Sequence, residues 1–355
     1  MQESDCSYVP AKIIPENGET FSGYCSPLNQ GPVSGEIVFT TGMTGYPETL
    51  TDPSYCDQII CFTYPLIGNY GVPNKKFWES ERIYAKGVVV CEVGDSLHHY
   101  EAEQSLLSWL RSQNVPLMRG VDTRALTKVL RKEGTMRGVI TTSEDPYTYP
   151  ALHSTHPVSR VSIKEPKIYK NPAAKKIIYA IDCGMKENII RALSTFPIEI
   201  RRVPHDFDFT DKEFDGVFIS NGPGDPREAS QTIEIIRKLL LKEKPIFGIC
   251  LGIQILSLAA GGNTYKLPFG HRGHNQPCLD TVSQKCYITS QNHGYAVEAE
   301  SLPDDWTVTF RNLNDHSVAG IAHNTKPFFA VQFHPEAGPG PTDTQWLFEK
   351  FYQML

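Results

Sequence analysis

Three short segments of this chain combine residue types that can do covalent chemistry. In the first, Pro245 to Gln254, an apolar run leads directly into Cys250, which is flanked by Gly248 and Gly252. A strand that turns into a helix within one residue needs small neighbours. It also holds the turning side chain above the sheet edge, beside a helix N-terminus whose partial positive charge favours a thiolate. The amide that follows, that of Leu251, then faces the place where an oxyanion develops. The segment reads as a nucleophile elbow, and the competing reading is a buried cysteine beside a glycine-rich packing turn. In the second segment another apolar run, starting at Phe328, ends in His334, Pro335 and Glu336. Imidazole at the C-terminal edge of a parallel strand sits where open α/β sheets build their sites, so His334 is a candidate base and Glu336 a candidate orienter of its ring. The third segment is a strand that stops in Asn221, Gly222, Pro223, Gly224 and Asp225. Such a turn exposes backbone amides to an anion. No Lys-Ser/Thr follows it, which disfavours a nucleotide phosphate loop, and an ordinary turn is the alternative.

Elements of a particular kind must carry these segments. Downstream of residue 175 the pattern is strand, loop, helix, repeated: Lys176–Asp182 then Lys186–Thr195, Ile198–Val203, Gly216–Ser220, Thr232–Leu241, and Pro245–Ile249 then Leu251–Ala260. Apolar strands without polar alternation are buried on both faces, so residues 175–355 are expected to form a doubly wound parallel α/β sheet. Upstream, short β-branched runs at Glu36–Thr40, Gln58–Thr63 and Lys86–Glu92 accompany helical spacing at Ala102–Ser112 and Thr123–Lys132, the latter with Asp122 as N-cap and Gly134 after its end. Residues 1–150 therefore read as a separate mixed α/β domain. The stretch between them, 151–174, continues a proline-rich segment from Ser143 without apolar periodicity and reads as a linker.

Composition narrows the function classes. The chain has 355 residues and a formal net charge of -6, which gives no overall basic field for nucleic acid or anionic lipid. Its longest apolar stretch, Ile246 to Ala260, is broken by glycine and polar residues, short of the roughly 20 that span a bilayer. The N-terminus lacks a basic region followed by an apolar one, so a cytoplasmic location is expected, with neither nucleic acid nor membrane as partner. Nine cysteines without a C-x-x-C pair suggest neither zinc nor a redox dithiol.

Taken together, the glycine-rich loop, the G-x-C-x-G elbow and the strand-terminal His-Pro-Glu resemble the class I glutamine amidotransferases. Further segments, Gly42–Tyr46, Leu50–Tyr55, Tyr64–Asn69, Gly273–Pro277 and Ser290–Tyr295, resemble one family among them, the small glutamine-hydrolysing chains of carbamoyl phosphate synthetase. The likeness runs through both domains. It implies that Cys250 attacks the side-chain amide of glutamine, with His334 as acid and base and Glu336 orienting it. It implies that Leu251, Gly222 and Gly224 offer backbone to the oxyanion, and that Gln254, Asn292, Gly294, Tyr295 and Ser54 hold the substrate, with a pocket near the domain boundary. It also implies a large ATP-binding partner chain docked on residues 1–150. No cofactor is expected in this chain, ATP and its metal ions residing on the partner. The ammonia released would serve carbamoyl phosphate formation for arginine and pyrimidine synthesis. Many members of that family carry His where this chain has Ile253, which leaves the polarity around the thiolate open. The alternatives are an amidotransferase chain of another synthase, against which the Thr51–Tyr55 segment argues, and a non-catalytic regulatory subunit.

Overall fold

The computed structural model of the protein describes residues 8–26, 31–95, 97, 99–145, 147, 149 and 156–355. It divides into two compact units, Met1–Ser154 and Thr155–Leu355.

The first unit is built around a closed seven-stranded barrel. Its strands run in the order Val9–Pro15, Phe21–Cys25, Leu117–Arg119, Gly87–Val89, Gln58–Phe62, Val33–Thr40 and Met136–Thr141. The pairs among Val33–Thr40, Gln58–Phe62, Gly87–Val89 and Leu117–Arg119 are parallel and the rest antiparallel, so the unit is mixed α/β in the way its sequence suggests. Closure leaves the sheet without an edge. Asp122 caps the Thr123–Glu133 helix, its Oδ1 accepting from the Ala125 amide at 2.8 Å, and Gly134 ends it at φ +97°. The other helix starts later than its apolar spacing predicts, at Leu106 instead of Ala102. Glu103 and Gln104 spend their backbone groups on a bridge to Val72, and Ser105 then caps Leu106–Ser112. Similarly, the strand expected over Lys86–Glu92 pairs only at Gly87–Val89, with Glu92–Val93 joining the short Leu66–Ile67 strand.

The second unit carries a ten-stranded sheet. Its central five strands, Ile198–Pro204, Lys176–Asp182, Gly216–Ile219, Ile246–Ile249 and Phe328–Val331, are parallel neighbours in that order. Successive residues feed opposite faces: Tyr179 and Ile181 pack with helices Ser230–Leu240 and Leu251–Ala260, whereas Ile178 and Ala180 pack with Glu187–Leu193 and Trp346–Met354. Both faces are thus covered, as a parallel sheet requires. Beneath the site-bearing strands Phe247 stacks on Phe329 with ring centroids 4.4 Å apart, an arrangement worth about 0.5–1.5 kcal/mol beyond burial. That contact fixes the Cys250 strand beside the His334 strand.

Two expectations need correction. The sheet is not wholly parallel: Lys167–Tyr169 adds antiparallel at one edge, and Val318–His323, Trp306–Asn312, Thr264–Asp280 and Cys286–Val297 extend the other edge antiparallel. Residues 156–174 of the proposed linker also belong to the second unit, since they contain the Pro157–Val161 helix and that edge strand. Residues 151–155 lie outside those described.

Candidate active site

Cys250 sits at the turn between Ile246–Ile249 and the Leu251–Ala260 helix with φ 56° and ψ -103°. A side chain other than glycine held at positive φ is strained, and the packing around it enforces the strain. Gly248 and Gly252 touch so closely that a Cβ on the first would lie 2.8 Å from the Gly252 backbone, and one on the second 2.4 Å from the Ile219 carbonyl oxygen. The Cys250 amide is tied to the Val331 carbonyl at 2.9 Å, and its sulfur lies 3.5 Å from the Asn292 carbonyl oxygen. Elsewhere burial pushes the thiols of Cys25 and Cys278 up to about 11 and that of Cys61 to about 12, which keeps them protonated and inert.

The Phe328–Val331 strand is the parallel neighbour of the elbow strand, with Val331 opposite Ile249. His334 therefore leaves the sheet at the same edge as Cys250, anchored by its amide to the Ser290 carbonyl at 2.9 Å. Its Nδ1 is 2.6 Å from Glu336 Oε1, so the carboxylate holds hydrogen on Nδ1 and turns Nε2 toward the reaction. Nε2 is buried and makes no geometrically complete hydrogen bond, yet it feels the Cys250 sulfur. Burial works against a charge on the ring, but the attraction of Glu336 and of that sulfur outweighs it and raises His334 to about 10. Glu336, fully buried, is drawn down to about 2: burial alone would raise it, and Lys186 and His334 overcome that. The resting pair is thus imidazolium beside sulfur, with a carboxylate behind it.

Lys186 completes the site and was not singled out by motif. Its Nζ lies 3.1 Å from Glu336 Oε1 and donates to the Ala337 carbonyl at 2.6 Å, with only 4% of the side chain exposed. The turn that presents it is built by Asp182, which accepts from the amides of Gly184 and Met185 at 2.8 Å each and pairs with Arg202. Asn188 donates to the Glu336 carbonyl from the same turn. The only sequence clue was an acidic residue ending a parallel strand, followed by glycine.

The glycine-rich loop lies beside the elbow. A Cβ on Gly222 would lie 2.8 Å from Leu251 Cδ2 and 2.1 Å from the Cys183 carbonyl oxygen, while Gly224, at φ +87°, packs under Pro157. Asn221 Oδ1 accepts from the Lys186 amide. Leu251 is the first residue of the helix, where amides lack intrahelical acceptors. Gln254 Nε2 donates to the Tyr295 carbonyl at 2.9 Å and to Gln332 Oε1 at 3.1 Å, joining the helix to the Cys286–Val297 strand that carries Asn292, Gly294 and Tyr295. Of these, Asn292 stands against the thiol, its carbonyl oxygen 3.5 Å from the Cys250 sulfur, and Tyr295 is tied to Gln254 on the elbow helix. Ser54 lies in the first unit, buried in the Pro53–Tyr55 turn, its amide donating to Asp52 Oδ1 at 2.9 Å. Ile253 faces away from the thiol: it is wholly buried in the core on the opposite sheet face from the one Cys250 joins.

Comparison with known proteins accords with this arrangement. Residues 179–354 match the family model described as glutamine amidotransferase class-I, and residues 13–140 match the carbamoyl-phosphate synthase small chain, CPSase domain. The chain is 47% identical to a carbamoyl phosphate synthase small chain of Caldanaerobacter subterraneus, covering 96% of this chain and 95% of that one. It is 46% identical to the arginine-specific small chain of Saccharomyces cerevisiae, covering 96% and 87%. It is 49% identical to the multifunctional protein CAD of Squalus acanthias over 97% of its own length but only 16% of that protein's. The chain thus spans about a sixth of such multifunctional relatives. Matching models over both units, near-complete alignment with dedicated small chains, and a cysteine elbow facing His334 and Glu336 have one reading: the chain belongs to the carbamoyl phosphate synthase small-chain family, with a class I glutamine amidotransferase domain.

Proposed function

We infer that this chain hydrolyses glutamine to glutamate and ammonia and passes the ammonia to a large ATP-dependent chain, which makes carbamoyl phosphate from bicarbonate for arginine and pyrimidine synthesis. The observation that carries the reading is the buried Cys250, His334, Glu336 and Lys186 line at adjacent strand ends. In the first step the Cys250 sulfur attacks the amide carbon of glutamine, and the oxyanion forms against the amides at the head of the Leu251–Ala260 helix and the Gly222–Gly224 loop. His334 delivers its Nε2 proton to the leaving nitrogen, which departs as ammonia and leaves a γ-glutamyl thioester. Neutral His334 then takes a proton from water, the resulting hydroxide adds to the thioester, and the collapse releases glutamate and restores the sulfur and imidazolium. Gln254, Asn292, Gly294 and Tyr295 hold glutamine in this scheme; Ser54 joins them on its motif alone. ATP and its metal ions belong to the partner.

The test is Cys250→Ser in a complex with the large chain. Glutamine-dependent synthesis is expected to vanish while ammonia-dependent synthesis persists, because free ammonia bypasses the thioester. Sustained glutamine turnover by this variant would sink the assignment.

A further inference from the structure

Behind the substrate-holding strand lies a line of polar side chains that the proposed chemistry does not use. It begins at Asp315, in the turn between Trp306–Asn312 and Val318–His323, whose Oδ1 accepts from the Ser317 amide at 3.1 Å and hydroxyl at 2.7 Å. Its other oxygen lies 2.9 Å from His271 Nε2. His271 is paired across the hairpin with His293, and the two rings meet edge to face at 86°, His271 Nδ1 lying 3.3 Å from His293 Nε2 and 3.3 Å from Asn312 Nδ2. His293 Nε2 is also 2.9 Å from Gln291 Oε1, while its Nδ1 is 2.8 Å from the Tyr295 carbonyl oxygen. A carbonyl can only accept, so His293 donates from Nδ1 to Tyr295. That same oxygen receives Gln254 from the elbow helix. The line therefore runs from a partly exposed carboxylate through two buried imidazoles to the carbonyl that anchors Gln254.

We propose that Asp315 and His271 are positioning residues for the glutamine site: they brace His293, which holds the Tyr295 carbonyl and so sets where Gln254 and the Asn292–Tyr295 backbone stand beside Cys250. A buried polar line of this length costs desolvation at every member, and a completed one yields a rigid wall. Burial, with His271 adding to it, holds His293 well below its ordinary range. Asp315 itself sits in the turn joining Trp306–Asn312 to Val318–His323 and contacts the hairpin through His271. The proposal rests on the glutaminase reading.

The experiment uses the full chain. Asp315→Asn keeps size and the Ser317 contacts but presents an amide to His271 Nε2, reversing the sense of that hydrogen bond. His271→Phe keeps the ring and removes both nitrogens. In each, KM for glutamine is expected to rise about tenfold with kcat within about threefold, the signature of lost binding geometry. The double variant is expected to be no worse than the worse single one, and Asp315→Glu is expected to regain most of the affinity. Circular dichroism and thermal melting check that the variants fold. Independently of turnover, the His293 imidazole proton, followed by NMR of chain labelled with 15N-histidine, is expected to be protected in the parent and shifted or lost in Asp315→Asn. Folded variants with unchanged KM, a fall confined to kcat, or an unmoved His293 proton would overturn the proposal. A moved proton in a chain that never hydrolyses glutamine would instead sink the glutaminase reading and leave the line standing.

Discussion

Cys250, His334 and Glu336 were legible in the sequence because each ends or follows an apolar strand in an unusual local context. Lys186 was not, because it reaches Glu336 from a different strand end and no local pattern announces a lysine held at 4% exposure. Its charge nonetheless decides the state of the site: with a cation on one side and imidazolium on the other, Glu336 stays ionised inside the protein. Lys186→Met is expected to lower kcat/KM at least tenfold, about 1.4 kcal/mol in barrier, with His334 and Cys250 still in place. A steady-state assay showing less than a twofold loss would contradict this. The His334 proton gives a second prediction. With a folded pKa of about 10 against an ordinary 6.5, the imidazolium stabilises the fold fully below pH 6.5, and the contribution fades as pH rises toward 10. Denaturant unfolding of the parent and of His334→Gln should therefore show a stability difference that shrinks between pH 6.5 and 10; one that grows would mean the ring is neutral in the folded state. Glu336 works in the other direction, its contribution lost only as pH falls from 4.5 toward 2.

At the scale of elements, the central strands were readable because they are apolar on both faces, whereas the Thr264–Asp280 and Cys286–Val297 hairpin was not. It buries His271, Arg272, Gln291 and His293, so the apolar alternation that marks a strand is absent and its segments look like loop motifs. The barrel was hidden for a different reason: closure depends on pairing between Val9–Pro15 and Met136–Thr141, far apart in the chain. The elbow is where element geometry bears most directly on chemistry. Gly252→Ala forces a methyl against the Ile219 carbonyl oxygen and so pushes the helix away from the Gly216–Ile219 strand, an overpacking cost of about 1–3 kcal/mol. Unfolding midpoints are expected to fall and glutamine turnover to fall with them, since Cys250 and the Leu251 amide move together; a stable, fully active Gly252→Ala chain would show that the elbow tolerates a shift. Ile253 also belongs to this scale. Its site is apolar core, so Ile253→His is expected to act through stability and not through the thiolate.

For the whole molecule, the two-part organisation was visible in the change of pattern along the chain, but the proline-rich stretch misled because prolines also open helices: Pro157 starts one, and the strand after it is short and largely exposed. The first unit supplies no catalytic set of its own among the described residues. We propose that it docks the large chain and couples glutamine cleavage to the state of the ATP sites. Glutaminase activity is then expected to rise at least tenfold when the large chain, ATP and bicarbonate are all present; equal rates for the isolated and the assembled chain would reduce the first unit to an anchor. Glutamine cleavage by this route passes through one covalent species, the thioester on Cys250. The most direct measurement is therefore acid quenching of the chain during glutamine turnover, followed by mass spectrometry of its cysteine peptides. The expected result is a γ-glutamyl adduct on the peptide that carries Cys250, absent from Cys250→Ser. Glutamine turnover with an adduct on another cysteine, or with none under conditions that preserve thioesters, would contradict it.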